Sequence, residues 1–246
     1  MSELSSFSLP HEVLRLMMRC CFEHTVSVFW GEPDGEPEMH SASGVLIKLD
    51  RPILITAEHV IEEFLKKQTE HPSIRLQIAK GSIENVAERI IARSKKSDLV
   101  TLDLSGLDLR EFAQHLSLYT PLKWPPHSVM PGLTVLIVGF PMAYRYLLPI
   151  RRAIKFDSFC QKVQVSSVNE CGFACAVETN SIHNLNSDDA WPETYGGMSG
   201  CPIFAIRGNP SVLDLVGIVY EASDSFNIIC ARHANLVSPD GTLSNP

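Results

Sequence analysis

Ser199 stands in the run Glu193-Thr-Tyr-Gly-Gly-Met-Ser-Gly-Cys-Pro202, with Gly196, Gly197 and Gly200 crowded around it. Glycines at that density let the backbone turn sharply and expose both a hydroxyl and adjacent N–H groups. A serine hydroxyl is a weak nucleophile, so the run has chemical meaning only if a base, and a group that orients the base, stand elsewhere. His59, closing Pro52-Ile-Leu-Ile-Thr-Ala-Glu-His59, is a candidate base. Asp98, opening Asp98-Leu-Val-Thr-Leu-Asp-Leu104, is a candidate orienting acid, and Asp103 in the same apolar run is its rival. Each has an ordinary structural alternative: a histidine at a strand end, an aspartate solvated after Lys95-Lys96, a serine in a turn. Dismissing all three requires three coincidences.

The elements that must position these residues are mostly strands. Ser8-Leu-Pro-His-Glu-Val-Leu-Arg-Leu-Met-Met-Arg-Cys-Cys21 reads as a short amphipathic helix with Ser8 as N-cap and Val13, Leu14, Met17, Met18 and Cys21 on its apolar face. Strands follow at residues 25–30, 43–49 and 53–56, the last delivering His59, and further strands at 73–78 and 89–93 lead to the run at 98–104. Residues 60–67 read as one or two helical turns. Short strands at this density fit a small antiparallel barrel. Residues 107–131, with a possible helix at 109–115 and four prolines, read as a connector. A second set of six strands is expected at 133–141, 159–165, 172–177, 201–206, 212–220 and 227–231. The expected organisation is a helical extension (1–24), a first barrel (25–106), the connector (107–131) and a second barrel (132–246). The polar, acidic stretch 180–195 is the longest irregular piece and leads straight into Ser199.

Composition narrows the function classes. A chain of 246 residues, 45% hydrophobic and 20% charged, is an ordinary globular protein with room for a substantial core. Its net charge of −7 and lack of a basic patch disfavour nucleic-acid and anionic-membrane partners. Its apolar runs fall short of the roughly 20 residues that span a bilayer, and the N-terminus lacks signal-peptide character, so a cytoplasmic location is expected. Seven cysteines without a framework pattern agree with reduced thiols. Cys171 and Cys175 lack the further ligands of a zinc site. No metal or cofactor is expected.

Three separated segments resemble the trypsin-like, chymotrypsin-fold serine peptidases. Thr56-Ala-Glu-His-Val60 is similar to the family's Thr-Ala-Ala-His segment, Ser97-Asp-Leu-Val100 to its Asp-Ile/Leu-Ala segment, and Gly197-Met-Ser-Gly-Cys-Pro202 to its Gly-x-Ser-Gly-x-Pro. The order His, Asp, Ser, with separations of 39 and 101 residues, is the chymotrypsin order. The resemblance covers residues 25–235 and implies an all-β fold of two six-stranded antiparallel barrels with a short N-terminal helix. It implies Ser199 as nucleophile, His59 as base and later acid, and Asp98 rather than Asp103 as the orienting group. Gly197 N–H and Ser199 N–H would form the oxyanion hole.

The same resemblance implies a peptide or protein substrate lying as an added strand along Val219, Tyr220 and Glu221. Glu193 falls at the base of the primary specificity pocket, followed by Thr194, with Ala222 on the pocket wall. A carboxylate there would favour Lys or Arg before the cut bond. Met198 replaces the aspartate that pairs with a new N-terminus in digestive trypsins, and Tyr220-Glu221 follows Val219 where that family has Ser-Trp. These departures place the chain nearer bacterial-type intracellular members. The expected activity is that of a serine endopeptidase acting through an acyl-enzyme. The alternatives are a peptidase gated by an activating protein partner and a catalytically silent peptide-binding module.

Overall fold

Runs such as Ile53-Leu-Ile55 and Val135-Leu-Ile-Val138 lack the alternation of a half-exposed strand, which requires that both faces be buried. A computed structural model describes residues 10–31, 39–148, 153–177, 194–207, 212–223 and 225–244, and it shows what covers each face. Leu54 points into the core of the first half with Val28, Leu46, Phe64 and Val100, while Ile53 and Ile55 point the other way. Val135 and Ile137 point into the second half with Phe159, Phe173 and Ile203; Leu136 and Val138 point back. The outward residues of the two halves meet in a third apolar cluster, the seam that joins them.

The first half is a seven-stranded sheet in the order β5-β4-β1-β2-β3-β7-β6. Its strands are β1 (Thr25–Gly31), β2 (Met39–Lys48), β3 (Pro52–Thr56), β4 (Leu76–Ile78), β5 (Gly81–Ile83), β6 (Ile90–Ser94) and β7 (Leu99–Asp103). The second half is a closed barrel, β11-β12-β15-β14-β13-β8. It comprises β8 (Thr134–Gly139), β11 (Phe159–Val168), β12 (Gly172–Ala176), β13 (Pro202–Arg207), β14 (Val212–Ser223) and β15 (Ile228–His233). A separate hairpin, β9 (Arg145–Leu148) and β10 (Ala153–Phe156), stands between β8 and β11. Pairing within each sheet is antiparallel. The first half differs from the expected six-stranded barrel: β5 adds a strand, and no ladder joins β5 to β6 among the described residues.

Helix α1 (His11–Glu23) has Pro10, not a capping side chain, before its first turn; Ser8 lies outside the described residues. Leu14, Met17, Met18 and Cys21 of α1 are buried in the seam, touching a cluster drawn from both halves. Each large side chain so buried contributes roughly 1.5–3 kcal/mol, so α1 closes the seam rather than merely preceding the fold. Val13, read as part of the apolar face, is 38% exposed. The expected turns after His59 are a full helix, α2 (Glu58–Glu70), whose Val60, Ile61 and Phe64 enter the first core. Two four-residue helices, α3 (Val86–Arg89) and α4 (Leu109–Phe112), complete the α-helices among the described residues. The connector is also pinned: Tyr119 exchanges backbone hydrogen bonds with Leu46 and Lys48, and its hydroxyl donates to Leu213 O at 2.9 Å.

Candidate active site

Register places the candidate acid beside the candidate base. In the β3–β7 ladder Thr56 pairs with Val100, so the residues just beyond that end, His59 and Asp98, emerge together. Asp103 pairs with Ile53 at the opposite end, where it meets Arg51 at 3.4 Å and accepts from Ser105 N–H at 2.7 Å. His59 is the second residue of α2, not the end of a strand. Its Nδ1–H donates to Asp98 Oδ2 at 2.7 Å, and its backbone N–H donates to Asp98 Oδ1 at 2.9 Å. The two carboxylate oxygens thus fix the ring and the backbone of one residue. Asp98 reaches this position with φ +50°, an unusual backbone for a residue carrying a Cβ.

The hydrogen bond that the ring donates to Asp98 raises the pKa of His59 above its ordinary value. Burial opposes that shift, and the charges of Asp98, Glu63 and Glu58 add to it. Glu58, buried beneath His59, lies 2.6 Å from Arg93 Nη2, and Glu63 lies 3.0 Å from His40 Nδ1. The environment of the imidazole is therefore acidic, with the cations one contact further out.

The serine arrives on a loop between the two halves. Met198 N–H donates to Tyr195 O at 3.0 Å across Gly196 and Gly197, and Gly197 has φ +87°, the geometry of a type II turn. A Cβ on Gly197 would stand 2.7 Å from Phe140 O and 2.8 Å from Met142 N. Glycine is required there on both counts. Gly196 O accepts from Met142 N–H at 2.6 Å. A trans peptide carries its C=O and N–H on opposite sides, so the Gly197 N–H points away from Met142. Neither it nor the Ser199 N–H finds an acceptor among the described residues.

Ser43, which the sequence did not single out, holds this loop in place. It is fully buried; its N–H donates to Ser199 O at 2.8 Å and its Oγ donates to Gly197 O at 2.9 Å. The same Oγ accepts from Phe140 N–H at 3.0 Å, and Ser43 O accepts from Thr56 Oγ1 at 2.7 Å. One residue of β2 therefore links the serine loop, the end of β8 and the end of β3. A Cβ on Gly200 would stand 2.0 Å from Ser43 O and 2.3 Å from Thr56 Oγ1. The backbone next to Ser199 thus packs against the strand end that leads, three residues on, to His59. Among the described residues no hydrogen bond joins Ser199 Oγ to the imidazole, as is common in unliganded sites of this kind. Local sequence carries no sign of Ser43's part, because all four bonds cross between segments.

Of the other expected site residues, Glu193 lies outside the described residues. Thr194 Oγ1 accepts from Gly196 N–H at 3.2 Å. Val219 is buried, and its N–H and C=O are both used, by Cys201 O and Gly200 N–H. It supports the serine loop from behind and has no backbone group free for a substrate. Beyond it, β13 covers β14 only as far as Ile218, whereas β15 continues to Ser223 on the other edge. Glu221 is exposed and Ala222 half-buried along that uncovered edge.

Fold and site together define the class. The chain belongs to the trypsin-like peptidase domain family, whose match runs over residues 42–218 and takes in Ser43, His59, Asp98 and Ser199. The crystal structure of the Rv3671c protease from M. tuberculosis, in its active form, superposes with a TM-score of 0.54. That likeness covers 100% of this chain and 96% of the other at 12% identity. It shows the fold: a chymotrypsin-like pair of β-barrels, the first of them open here. No curated protein matches the sequence significantly. Among the described residues no helix is long and apolar enough to cross a membrane.

Proposed function

We propose that this trypsin-like peptidase is a serine endopeptidase that cleaves peptide bonds through an acyl-enzyme on Ser199. The observation that carries the reading is the two-point hold of Asp98 on His59, 2.7 Å to the ring and 2.9 Å to the backbone. With Nδ1 occupied, the neutral imidazole presents Nε2 as its base. It takes the Ser199 proton as the hydroxyl attacks the carbonyl, and returns it to the leaving amine. Gly197 N–H and Ser199 N–H, which find no acceptor among the described residues, are the donors for the oxyanion. Asp98 holds the useful tautomer and stabilises the imidazolium.

Substrate would add as a strand to the uncovered edge of β14 at Tyr220, Glu221 and Ala222, with Thr194 near the primary pocket. Glu193 as the selector of Lys or Arg, and action in the cytoplasm, complete the proposal. The direction of the Gly197 N–H favours a preformed site over one that waits for an activating protein partner. A fluorophosphonate probe tests this on the purified chain. Labelling lost in Ser199→Ala supports a preformed serine site; labelling only after a partner is added supports gating. No labelling under either condition supports the peptide-binding module.

A further inference from the structure

Asp98 sits at the end of the turn joining β6 to β7, in the left-handed region that a residue with a Cβ occupies at some energetic cost. Part of what holds it there is local: Ser97 N–H donates to Ser94 Oγ at 3.2 Å. The rest comes from the other half of the molecule. Arg232, on β15, donates from Nε to Ser97 O at 2.8 Å and from Nη2 to Lys96 O at 3.3 Å. The two carbonyls immediately before Asp98 are thus held by one planar guanidinium.

The guanidinium is itself held. Its carbon lies 3.9 Å from the centroid of the Tyr220 ring, a stacking distance. Tyr220 can lie there because β14 and β15 change register between Val219 and Glu221, leaving Tyr220 as the extra residue of a bulge. A bulge re-aims a side chain that would otherwise continue the alternation of its strand. We propose that Arg232, stacked on Tyr220, is the positioning residue that fixes the Asp98 turn, and through it His59, from the opposite half of the molecule. It touches neither reacting atoms nor substrate. The proposal rests on the reading of His59 and Asp98 as the catalytic pair, and it gives Tyr220 a task besides lining the substrate edge.

Arg rather than Lys is needed because the contact uses a rigid fork and a flat face, neither of which an ammonium supplies. The test is the titration of the His59 ring by NMR in the full chain, with kcat and KM measured on a peptide the wild type cleaves. His59 is faced by Asp98, Glu58 and Glu63, all of which raise its pKa, with Arg93 paired to Glu58 and Lys95 to Glu62. In Arg232→Ala, looser seating of Asp98 lowers the His59 midpoint toward its ordinary value and lowers kcat by up to about 100-fold, leaving KM nearly unchanged. Arg232→Lys shifts both in the same direction although the charge is kept. Tyr220→Leu, which removes the stack alone, shifts the midpoint less.

A folded Arg232→Ala protein with an unmoved His59 midpoint overturns the proposal. So does a rise in KM with kcat and midpoint unchanged, which assigns Arg232 to substrate binding. If Arg232→Ala does not fold, the midpoints of Arg232→Lys and Tyr220→Leu decide by the same criterion. A lowered midpoint in proteins that hydrolyse nothing, the wild type included, keeps the positioning role and removes the peptidase reading instead.

Discussion

Two aspartate–histidine pairs stand at different places in this molecule, and the function proposed above gives them different tasks on nearly the same contacts. At the cleft, Asp98 spends one oxygen on the His59 ring and the other on the His59 backbone. Away from it, Asp214 Oδ2 accepts from both His127 Nδ1–H at 3.0 Å and His127 N–H at 3.2 Å. The third group separates them. Asp214 also faces Arg207 Nε at 3.3 Å, and Arg207 Nη2 donates to the carbonyls of His127 and Ser128. That carboxylate is neutralised, and the set pins the connector to β13 and β14. Asp98 has no such cation on its carboxylate among the described residues, so its charge is left to act on the imidazole, with the Ser199 loop close by. A histidine on an aspartate is a clamp or a poised base according to what completes the set.

The widest separation between the two pairs is expected in turnover. Ser199→Ala or His59→Ala should lower kcat by roughly 10⁴-fold or more, because the proposed mechanism uses these groups as a unit. His127→Ala should leave kcat close to wild type. Equal losses in His59→Ala and His127→Ala, measured on proteins of equal fold by circular dichroism, would erase the distinction.

The acids sharpen it. Asp98→Asn should reduce turnover by about 10⁴-fold by favouring the wrong tautomer of His59, while Asp103→Asn spares it. Asp214→Asn should act on stability instead. It leaves Arg207 and His127 without their shared carboxylate, and a broken, largely buried polar contact costs on the order of 1–3 kcal/mol. Thermal unfolding read beside kcat separates the two effects; a turnover loss in Asp214→Asn with an unmoved unfolding midpoint would contradict the clamp.

Smaller losses should follow changes to the serine loop, which the clamp lacks altogether. Gly197→Ala meets both the positive φ and the contacts with Phe140 O and Met142 N, and turning its N–H aside should cost about 10²–10³-fold in kcat. Ser43→Ala removes two of that residue's four bonds, one of them to the loop and one to Phe140 N–H, and should cost less. An unchanged affinity for a peptide boronate, which mimics the tetrahedral state, in Gly197→Ala would show that this N–H is not an oxyanion donor.

The least effect, and the most diagnostic of Asp98, is on pH dependence. The base must be neutral, so turnover should fall as pH drops through the raised His59 pKa, placing the acid limb above the ordinary histidine value of 6.5. In Asp98→Asn the limb should move down. For stability the sign is the reverse: the protonated pair stabilises the folded state fully below about 6.5, and that contribution is lost as pH rises through the higher folded value. A limb at the same pH in wild type and Asp98→Asn would remove Asp98 as its cause.

What could be seen in the amino-acid chain was whatever depends on neighbours along it. The glycines around Ser199, the apolar run before His59 and the second barrel's strands are written as local backbone preference and period. The strands at 133–141 and 201–206 were legible because continuous apolar residues need burial on both faces. The hairpin β9–β10 and the short strand β5 were missed, since four and three residues carry too little period to announce themselves. α2 was foreshortened because its exposed Glu63, Lys66 and Thr69 dilute its apolar stripe.

Tertiary structure alone decided the rest. Between Asp98 and Asp103, composition and apolar pattern are indifferent and only the family resemblance favoured the first; the physical reason is tertiary, the pairing of Thr56 with Val100, which carries one to His59 and leaves the other at the far end with Arg51. Val219 was read as a substrate contact, yet its backbone is consumed by Gly200 and Cys201, residues nearly twenty positions earlier in the chain. Ser43 and Arg232 carry no local mark of the contacts they make, and α1 looked peripheral until both halves were present to form the seam it covers. Each of these depends on which distant segment arrives alongside, and that is fixed by register and packing, not by the residues on either side.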